Sequence, residues 1–168
     1  MQIRQATFPD ARRIAQIHVA SWRAAYCGQM PDMVLDNLDV EKRAAFWHTH
    51  LTRLPPVTFV AQFKQEIIGF CDLIPSRDKD SNSHVTAEIA AIYVHPDYWR
   101  QGAGRALCLH ALLAARRQHF TAVTLWALAA NAAAQHFYLT MGFQLDGATR
   151  SESFGDLQLP AVRFRIRV

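Results

Sequence analysis

The sequence predicts an α/β or α+β fold around a mixed sheet, because segments with strand periodicity alternate with segments of helical periodicity. Apolar residues recur on one helical face from Ile14 to Ala25, whereas residues 57–63 and 67–74 resemble two strands separated by a polar turn. The chain has 168 residues, of which 51% are hydrophobic and 19% are charged. It contains no repeat, low-complexity tract or Gly/Ser linker, so we expect a single domain over residues 1–168.

Helices are predicted at four places. The first ends near Tyr26, and the second begins near Asp39 and ends at Leu54-Pro55-Pro56. The third covers residues 101–119, and the fourth follows Asn131 and stops before Gly142. The third helix has four leucines available for burial: Leu107, Leu109, Leu112 and Leu113.

Strands are predicted at residues 3–6, 57–63, 67–74, 86–94, 121–127 and 159–168, with a polar loop over 75–84. Residues 86–94 are nearly all apolar except for Glu88. In the last strand Arg163, Arg165 and Arg167 alternate with apolar residues, which predicts one solvated face.

Cysteine usage and charge bear on where the chain works and what it binds. Cys27, Cys71 and Cys108 form no Cys-x-x-Cys pair, so we expect buried free thiols in a reducing cytoplasm. The start of the chain does not look like a secretory signal, and no segment predicts a membrane span. The net charge of +4 suits an anionic ligand but is small for a dedicated nucleic-acid binder.

The most informative segment is a glycine-containing turn between the strand that ends at Val94 and a predicted helix. It reads Arg100-Gln101-Gly102-Ala103-Gly104-Arg105. Such a turn leaves backbone N–H groups unpaired at a helix N-terminus, where the helix dipole favours an anion. Glycines allow the backbone to approach a phosphate closely, and the two arginines could add charge-assisted bonds. The segment therefore predicts a phosphate-binding turn, with a packing turn as the alternative.

Two well-known phosphate motifs do not match this turn. A Walker A loop requires a lysine, which the turn lacks. A dinucleotide fingerprint requires a third small residue where Leu107 stands, and an acidic residue about 20 positions later where the chain has none. An NAD(P)-dependent oxidoreductase is therefore disfavoured, and a nucleotide- or CoA-binding module without catalysis remains an alternative.

The turn resembles the acyl-CoA pyrophosphate loop of the GNAT superfamily of N-acetyltransferases, whose signature is Gln/Arg-x-x-Gly-x-Gly/Ala. This chain matches all but the first place, which Trp99 occupies. A second segment is similar to the family's strand–Asn–helix–Tyr element: Asn131 follows a strand, and Tyr138 precedes Gly142-Phe143. The resemblance implies a mixed, mostly antiparallel sheet with helices on both faces. It also implies an enzyme that uses acetyl-CoA as co-substrate.

The resemblance assigns cofactor-binding roles. It implies that a bulge splays the strand ending at Ile92-Tyr93-Val94 from its neighbour. Backbone groups of Ile92 and Val94 then pair with the pantetheine arm, and an N–H polarises the thioester carbonyl. Asn131 would contact the arm, with a helix N-cap as the alternative. At the first place of the signature, Trp99 replaces the Gln or Arg whose side chain contacts the cofactor in the family.

The resemblance also assigns catalytic roles. Tyr138 matches the family's general acid, since a phenol with a pKa of about 10 is protonated at pH 7. Glu88 matches a position that often holds the base, with a structural salt bridge as the alternative. Another common base position holds Trp126 instead. Trp22, Tyr26 and Met30 match the amine-acceptor pocket, with core packing as the rival for Trp22.

Other chemistries find little support in the sequence. The eight histidines include no His-Glu-x-x-His, so we expect no metal site. No Gly-x-Ser-x-Gly is present for a serine hydrolase. The acceptor stays open among small amines and peptides, and so does homodimer formation. We expect neither membrane nor nucleic acid as a partner.

Overall fold

The computed structural model describes residues 1–52 and 57–168, and its strands form one seven-stranded sheet. The strands are β1 (Gln2–Gln5), β2 (Val57–Phe63), β3 (Glu66–Pro75), β4 (Thr86–Val94), β5 (Ala122–Leu128), β6 (Gln144–Phe154) and β7 (Leu157–Arg167). The helices are α1 (Ala11–Tyr26), α2 (Asp32–Asp36), α3 (Val40–Leu51), α4 (Ala103–Arg117) and α5 (Ala132–Thr140). Single 3₁₀ turns occupy Phe8–Asp10 and Pro96–Tyr98.

The sheet has the order β1-β2-β3-β4-β5-β7-β6. Every neighbouring pair is antiparallel except β4 and β5, which are parallel and are connected through α4. A parallel pair requires a crossover, and α4 provides it. The prediction of a mixed, mostly antiparallel sheet is confirmed.

Helices cover both faces of this sheet, as predicted. On one face α1 and α3 pack on β2 and β3 through a cluster that includes Ile14, Trp47 and Phe70. On the other face α4 and α5 pack on the central strands through a cluster that includes Leu107 and Tyr138. The alternation of side chains along β3 explains this division, because neighbouring strand residues point to opposite faces.

Local signals set several helix ends as the sequence predicts. The Asp39 carboxylate accepts hydrogen bonds from the backbone N–H groups of Glu41 and Lys42, which caps α3. The Asn131 side chain accepts from the N–H of Ala134, which caps α5. The predicted stop at Leu54-Pro55-Pro56 lies outside the described residues.

The sequence did not predict α2 or β6. β6 is mostly polar, lies at the edge of the sheet and pairs with β7 alone, so it lacks the apolar alternation of a half-buried strand. Its register with β7 also shifts between Leu145 and Thr149. Pairing with β7, and not an internal pattern, therefore defines this strand.

Three expectations about burial were wrong. Cys27 is exposed, because it follows the last residue of α1 and enters a surface turn, whereas Cys71 and Cys108 are buried. Leu109 and Leu113 are exposed on the outer side of α4, because only one face of the helix meets the sheet. The third, Arg163, is only 6% exposed instead of lying on a solvated face, because acidic groups surround it.

Among the residues that the structure describes, no helix is long and apolar enough to cross a membrane.

Candidate active site

The central feature of the sheet is the short pairing of its two parallel strands. β4 pairs with β5 only from Thr86 to Glu88, opposite Ala122 to Thr124. Beyond these residues β5 continues beside β7 up to Leu128, and β4 continues beside β3 up to Val94. The two strands therefore part, and a cleft opens between their C-terminal halves.

A β-bulge coincides with the point where the strands part. The register of β4 against β3 shifts between the Asp72–Ala91 and Leu73–Ile89 pairs, so β4 has one extra residue there. Bulges bend a strand and increase its twist, which directs the end of β4 away from β5. The geometry matches the splay that the family resemblance implies.

The backbone of β4 presents hydrogen-bonding groups to this cleft. The N–H of His95 donates to Ile68 on β3, and main-chain groups alternate in direction along an antiparallel pair. Ile92 and Val94 therefore direct their N–H and C=O groups toward β5. The Val94 carbonyl already has two donors, the Ser21 hydroxyl at 2.7 Å and the Trp99 indole N–H at 2.6 Å.

The glycine turn lies at the open end of the cleft and begins α4. Gly102 is the N-cap residue with φ +85°, and no side chain caps this helix. Arg100 also has a left-handed backbone, with φ +59°. Left-handed residues next to right-handed ones gather consecutive N–H groups into a concave anion-binding nest. The N-terminal N–H groups of α4 are thus oriented and free of side-chain caps.

A close approach of backbones holds this turn near β4. A Cβ on Gly69 of β3 would lie 2.9 Å from the Tyr93 carbonyl and 3.1 Å from a methyl of Leu107 on α4. Glycine at this position therefore allows α4 to pack tightly against the end of β4. The exposed cations Arg100 and Arg105 flank the turn.

Asn131 lies across the cleft from β4, immediately after β5. Its carboxamide nitrogen donates to the Tyr26 hydroxyl at 3.2 Å, while its carbonyl oxygen caps α5. The side-chain carbonyl of Asn131 therefore acts as the helix N-cap that was the alternative. Its amide nitrogen connects the start of α5 to Tyr26 on α1. Sequence reasoning placed Asn131 and Tyr26 in one site but did not anticipate this bond.

Tyr138 lies on α5 and packs against Phe143 and Phe164 in the core cluster that α4 and α5 form with the sheet. Its residue is 8% exposed, and burial raises the pKa of its phenol well above the usual value of 10.0. The neighbouring Tyr93 phenol and the Cys108 thiol reinforce this shift. Tyr138 is therefore protonated at neutral pH, as a proton donor must be.

Glu88 lies at the last position where β4 pairs with β5 and is only 2% exposed. Its carboxylate accepts hydrogen bonds from the Arg77 backbone N–H at 3.2 Å and from the guanidinium Nε at 3.1 Å, and it also pairs with Arg77 Nη2. The salt-bridge alternative is therefore present in the structure. Arg77 is partly exposed in the loop after β3, so its side chain covers the carboxylate from solvent.

Trp22, Tyr26 and Met30 are all buried in one cluster between α1, α2 and the β6–β7 hairpin. Trp22 contacts Phe154 and Tyr26 at ring-centroid distances of 5.2 Å, whereas Met30 lies deeper in the cluster. Core packing thus accounts directly for Met30. Trp22 and Tyr26 also border the β4 side of the cleft near Tyr93.

Sequence reasoning missed a polar network beside Trp126. Arg163 bonds to Asp80 at 2.7 Å, to Asp146 at 2.8 Å and to Asp78 at 3.1 Å. The Trp126 indole N–H also donates to Asp78, at 3.1 Å. This network attaches the loop that contains Arg77 to β5 and β7. Asp78 and Asp80 lie in the loop after β3 and Asp146 lies in β6, all far from Arg163 along the chain, so no local pattern indicated the network.

Comparisons with known proteins agree with this geometry. The family model described as Acetyltransferase (GNAT) family matches residues 13–143. The chain is 30% identical over 130 residues to the uncharacterized N-acetyltransferase YuaI of Bacillus subtilis (strain 168), covering 77% of this chain and 72% of that protein. The chain therefore belongs to the GNAT acetyltransferase family.

Solved structures share the fold. A ribosomal-protein-alanine N-acetyltransferase from Brucella melitensis superposes with a TM-score of 0.78 over 100% of both chains, at 21% identity. YncA from Salmonella typhimurium, solved with its cofactor acetyl-CoA, superposes with a TM-score of 0.74 over 99% of this chain and 93% of that one, at 23% identity.

His18 is a buried histidine next to the cleft. Its ring stacks on Tyr93 with a centroid distance of 4.6 Å, and its Nδ1 has no partner among the described residues. Burial lowers the pKa of His18 to about 3, and the nearby charge of Arg43 acts in the same direction. The ring is therefore neutral at pH 7.

This shift predicts an acid-sensitive fold. An unfolded histidine has a pKa of about 6.5, so the unfolded chain binds an extra proton between that pH and the native pKa. The free energy of unfolding should fall by about 2 kcal/mol between pH 7 and pH 5 from His18 alone. Denaturant unfolding of His18→Phe should show a correspondingly smaller loss, whereas the exposed-site control His84→Gln should match the parent. Equal losses in all three proteins would refute this assignment.

Proposed function

We propose that this enzyme transfers the acetyl group of acetyl-CoA to a primary amine by direct attack in a ternary complex. The observation that carries the proposal is the cleft between β4 and β5, which has the uncapped N-terminus of α4 next to the end of β4. The same chain would supply cofactor site and acceptor site as one domain over residues 1–168. Its free cysteines suit a reducing compartment, so we propose that it acts in the cytoplasm.

The residues present fit acetyl-CoA at both ends of this cleft. The N–H groups of residues 102–105 would hold the diphosphate, with Arg100, Gln101 and Arg105 at the rim. The free N–H groups of Ile92 and Val94 would pair with the amides of the pantetheine arm as a neighbouring strand does. Tyr93 alternates with them and faces α1.

The chemical step needs an oxyanion donor, a base and an acid. The amine nitrogen attacks the thioester carbon, the new C–N bond forms and the C–S bond breaks. A backbone N–H of β4, that of Ile92, would stabilise the oxyanion, an effect worth about 3–4 kcal/mol in other enzymes. Glu88, directly or through water, would take the amine proton, and the Tyr138 hydroxyl would give its proton to the departing thiolate.

The Arg77–Glu88 pair has a consequence for this step. Each oxygen of the carboxylate already accepts a bond from Arg77, so the base is available only when that side chain moves or when a water reaches it past the guanidinium. Arg77 is 60% exposed at its side chain, which allows such a movement. An acceptor that arrives as an ammonium ion would compensate the charge of Glu88 in its place.

The acceptor side of the cleft comprises Trp22 and Tyr26, with Met30 behind them. Aromatic walls suit an amine that has an apolar or cationic body. The Brucella enzyme acts, by its name, on the alanine of a ribosomal protein. We therefore propose a small-molecule or peptide amine as the acceptor, to be identified by a panel that measures free-thiol release.

Blocking the turn should weaken cofactor binding. In Gly102→Val a side chain projects at the helix N-terminus, so the affinity for acetyl-CoA in calorimetry should fall by about ten-fold or more, as expected when one charge-assisted bond is lost. Gly147→Val is the matched control, since Gly147 has φ +87° and open surroundings, and therefore the same backbone strain. Equal affinities in the two variants would exclude the turn as the diphosphate site.

Removing the acid or the base should slow catalysis more than it weakens binding. Tyr138→Phe and Glu88→Gln should each lower kcat by about 100-fold, with the acetyl-CoA Kd nearly unchanged. Arg77→Gln breaks the same ion pair as Glu88→Gln but keeps the carboxylate, so its kcat should stay within a few-fold of the parent. If Arg77→Gln and Glu88→Gln lost equal activity and equal stability, the pair would be structural and Glu88 would not be the base.

A further inference from the structure

We propose that Trp99 is a latch on the cofactor cleft, whose indole leaves the Val94 carbonyl when the pantetheine arm enters. This inference rests on the proposed binding of CoA between β4 and β5. It goes further by assigning a role to the one position where the chain departs from the family's loop signature.

The geometry places the indole at a group that the arm needs. Trp99 Nε1 donates to the Val94 carbonyl oxygen at 2.6 Å. That carbonyl is directed away from β3, into the cleft, as the neighbouring His95-to-Ile68 bond requires. The indole therefore lies against the edge of β4, between the glycine turn and Ile92. A ligand that spans these two points would have to cross the position of the ring.

The carbonyl has no capacity left for another donor. A carbonyl oxygen has two lone pairs, and the Ser21 hydroxyl occupies the second at 2.7 Å. Ser21 is 3% exposed on α1, so it is held in place by the surrounding core. A pantetheine amide can therefore bond to Val94 only in exchange for the indole.

Trp99 has the freedom to make this exchange. It is 41% exposed and follows the 3₁₀ turn Pro96–Tyr98, and its backbone conformation is extended. The neighbouring residue, Arg100, is also exposed. The exchange replaces one N–H donor by another at the same oxygen, so the number of hydrogen bonds on Val94 is conserved. The cofactor nevertheless has to displace an existing bond, and its affinity is reduced accordingly.

The test compares ligands with and without the arm. CoA contains an adenosine diphosphate and the pantetheine arm, whereas ADP contains the adenosine diphosphate without the arm. Trp99→Phe keeps an aromatic ring but cannot donate, so it should bind CoA roughly two- to ten-fold more tightly than the parent, the change that one hydrogen bond makes. Its affinity for ADP should equal that of the parent. Ser21→Ala is the matched control, because the lone pair that it frees faces α1 and the indole still covers the side that the arm needs, so it should not tighten CoA binding.

Tryptophan fluorescence gives a second, independent measurement. The difference between the emission of the parent and that of Trp99→Phe reports on Trp99. It should shift to longer wavelength when CoA is added, as the indole enters solvent, and should stay constant with ADP.

The outcomes separate the latch from the proposed function. Tighter CoA binding by Trp99→Phe together with a CoA-specific emission shift supports the latch. Normal CoA binding by the parent, with weaker or equal binding by Trp99→Phe and no emission shift, overturns the latch and leaves the acetyltransferase proposal intact. Absence of CoA binding to the parent overturns both.

Discussion

Parallel strands stay paired only while both continue in the same direction, and the site of this protein depends on where β4 and β5 cease to do so. Their ladder ends at Glu88 and Thr124, directly before the bulge of β4. From there β4 stays paired with β3 and β5 stays paired with β7, but β4 and β5 no longer pair with each other. Unpaired backbone groups inside a protein are costly, so a cleft lined by them is a binding surface for a molecule with amides of its own.

The same parting of strands explains how distant segments come together. α4 begins at one end of the cleft because it must cross from the end of β4 to the start of β5. α5 starts beyond β5 and carries Tyr138 into the core, while α1 contributes Ser21 and Tyr26 from the opposite face. Each functional group thus comes from a rigid element, which favours precise positioning.

The charged network around Arg163 positions the loop after β3 beside Trp126. A guanidinium that is buried with three carboxylate partners fixes the loop after β3 against β5, β6 and β7. Arg150 stacks over Trp126 at 4.2 Å from the ring centroid, so this indole is already occupied by a cation. Buried pairs of this kind define a unique arrangement more than they add stability. The Trp126 side of the cleft is therefore held by electrostatics, and the β4 side by backbone packing.

The sequence predicted the parts of the fold that local chemistry controls. The helix start near Asp39 and the helix cap at Asn131 could be predicted because each capping side chain and its N–H partners are two or three residues apart. The glycine turn could also be predicted, because its residues follow one another in the sequence. β6 could not be predicted, because its pairing with β7 defines it and its own sequence pattern does not. Arg163 was misread as solvated, and the Trp99 bond to Val94 was not foreseen, because their partners depend on the tertiary fold.

The central claim is that the free N–H groups of β4 and of the glycine turn hold acetyl-CoA, and backbone amide hydrogen exchange followed by NMR tests it most directly. With saturating acetyl-CoA, the amides of Ile92, Val94 and residues 103–105 should exchange far more slowly than in the protein alone. The amide of Gly147, at the surface, should be unaffected. Binding of acetyl-CoA that left the β4 and turn amides exchanging at their original rates would contradict the account.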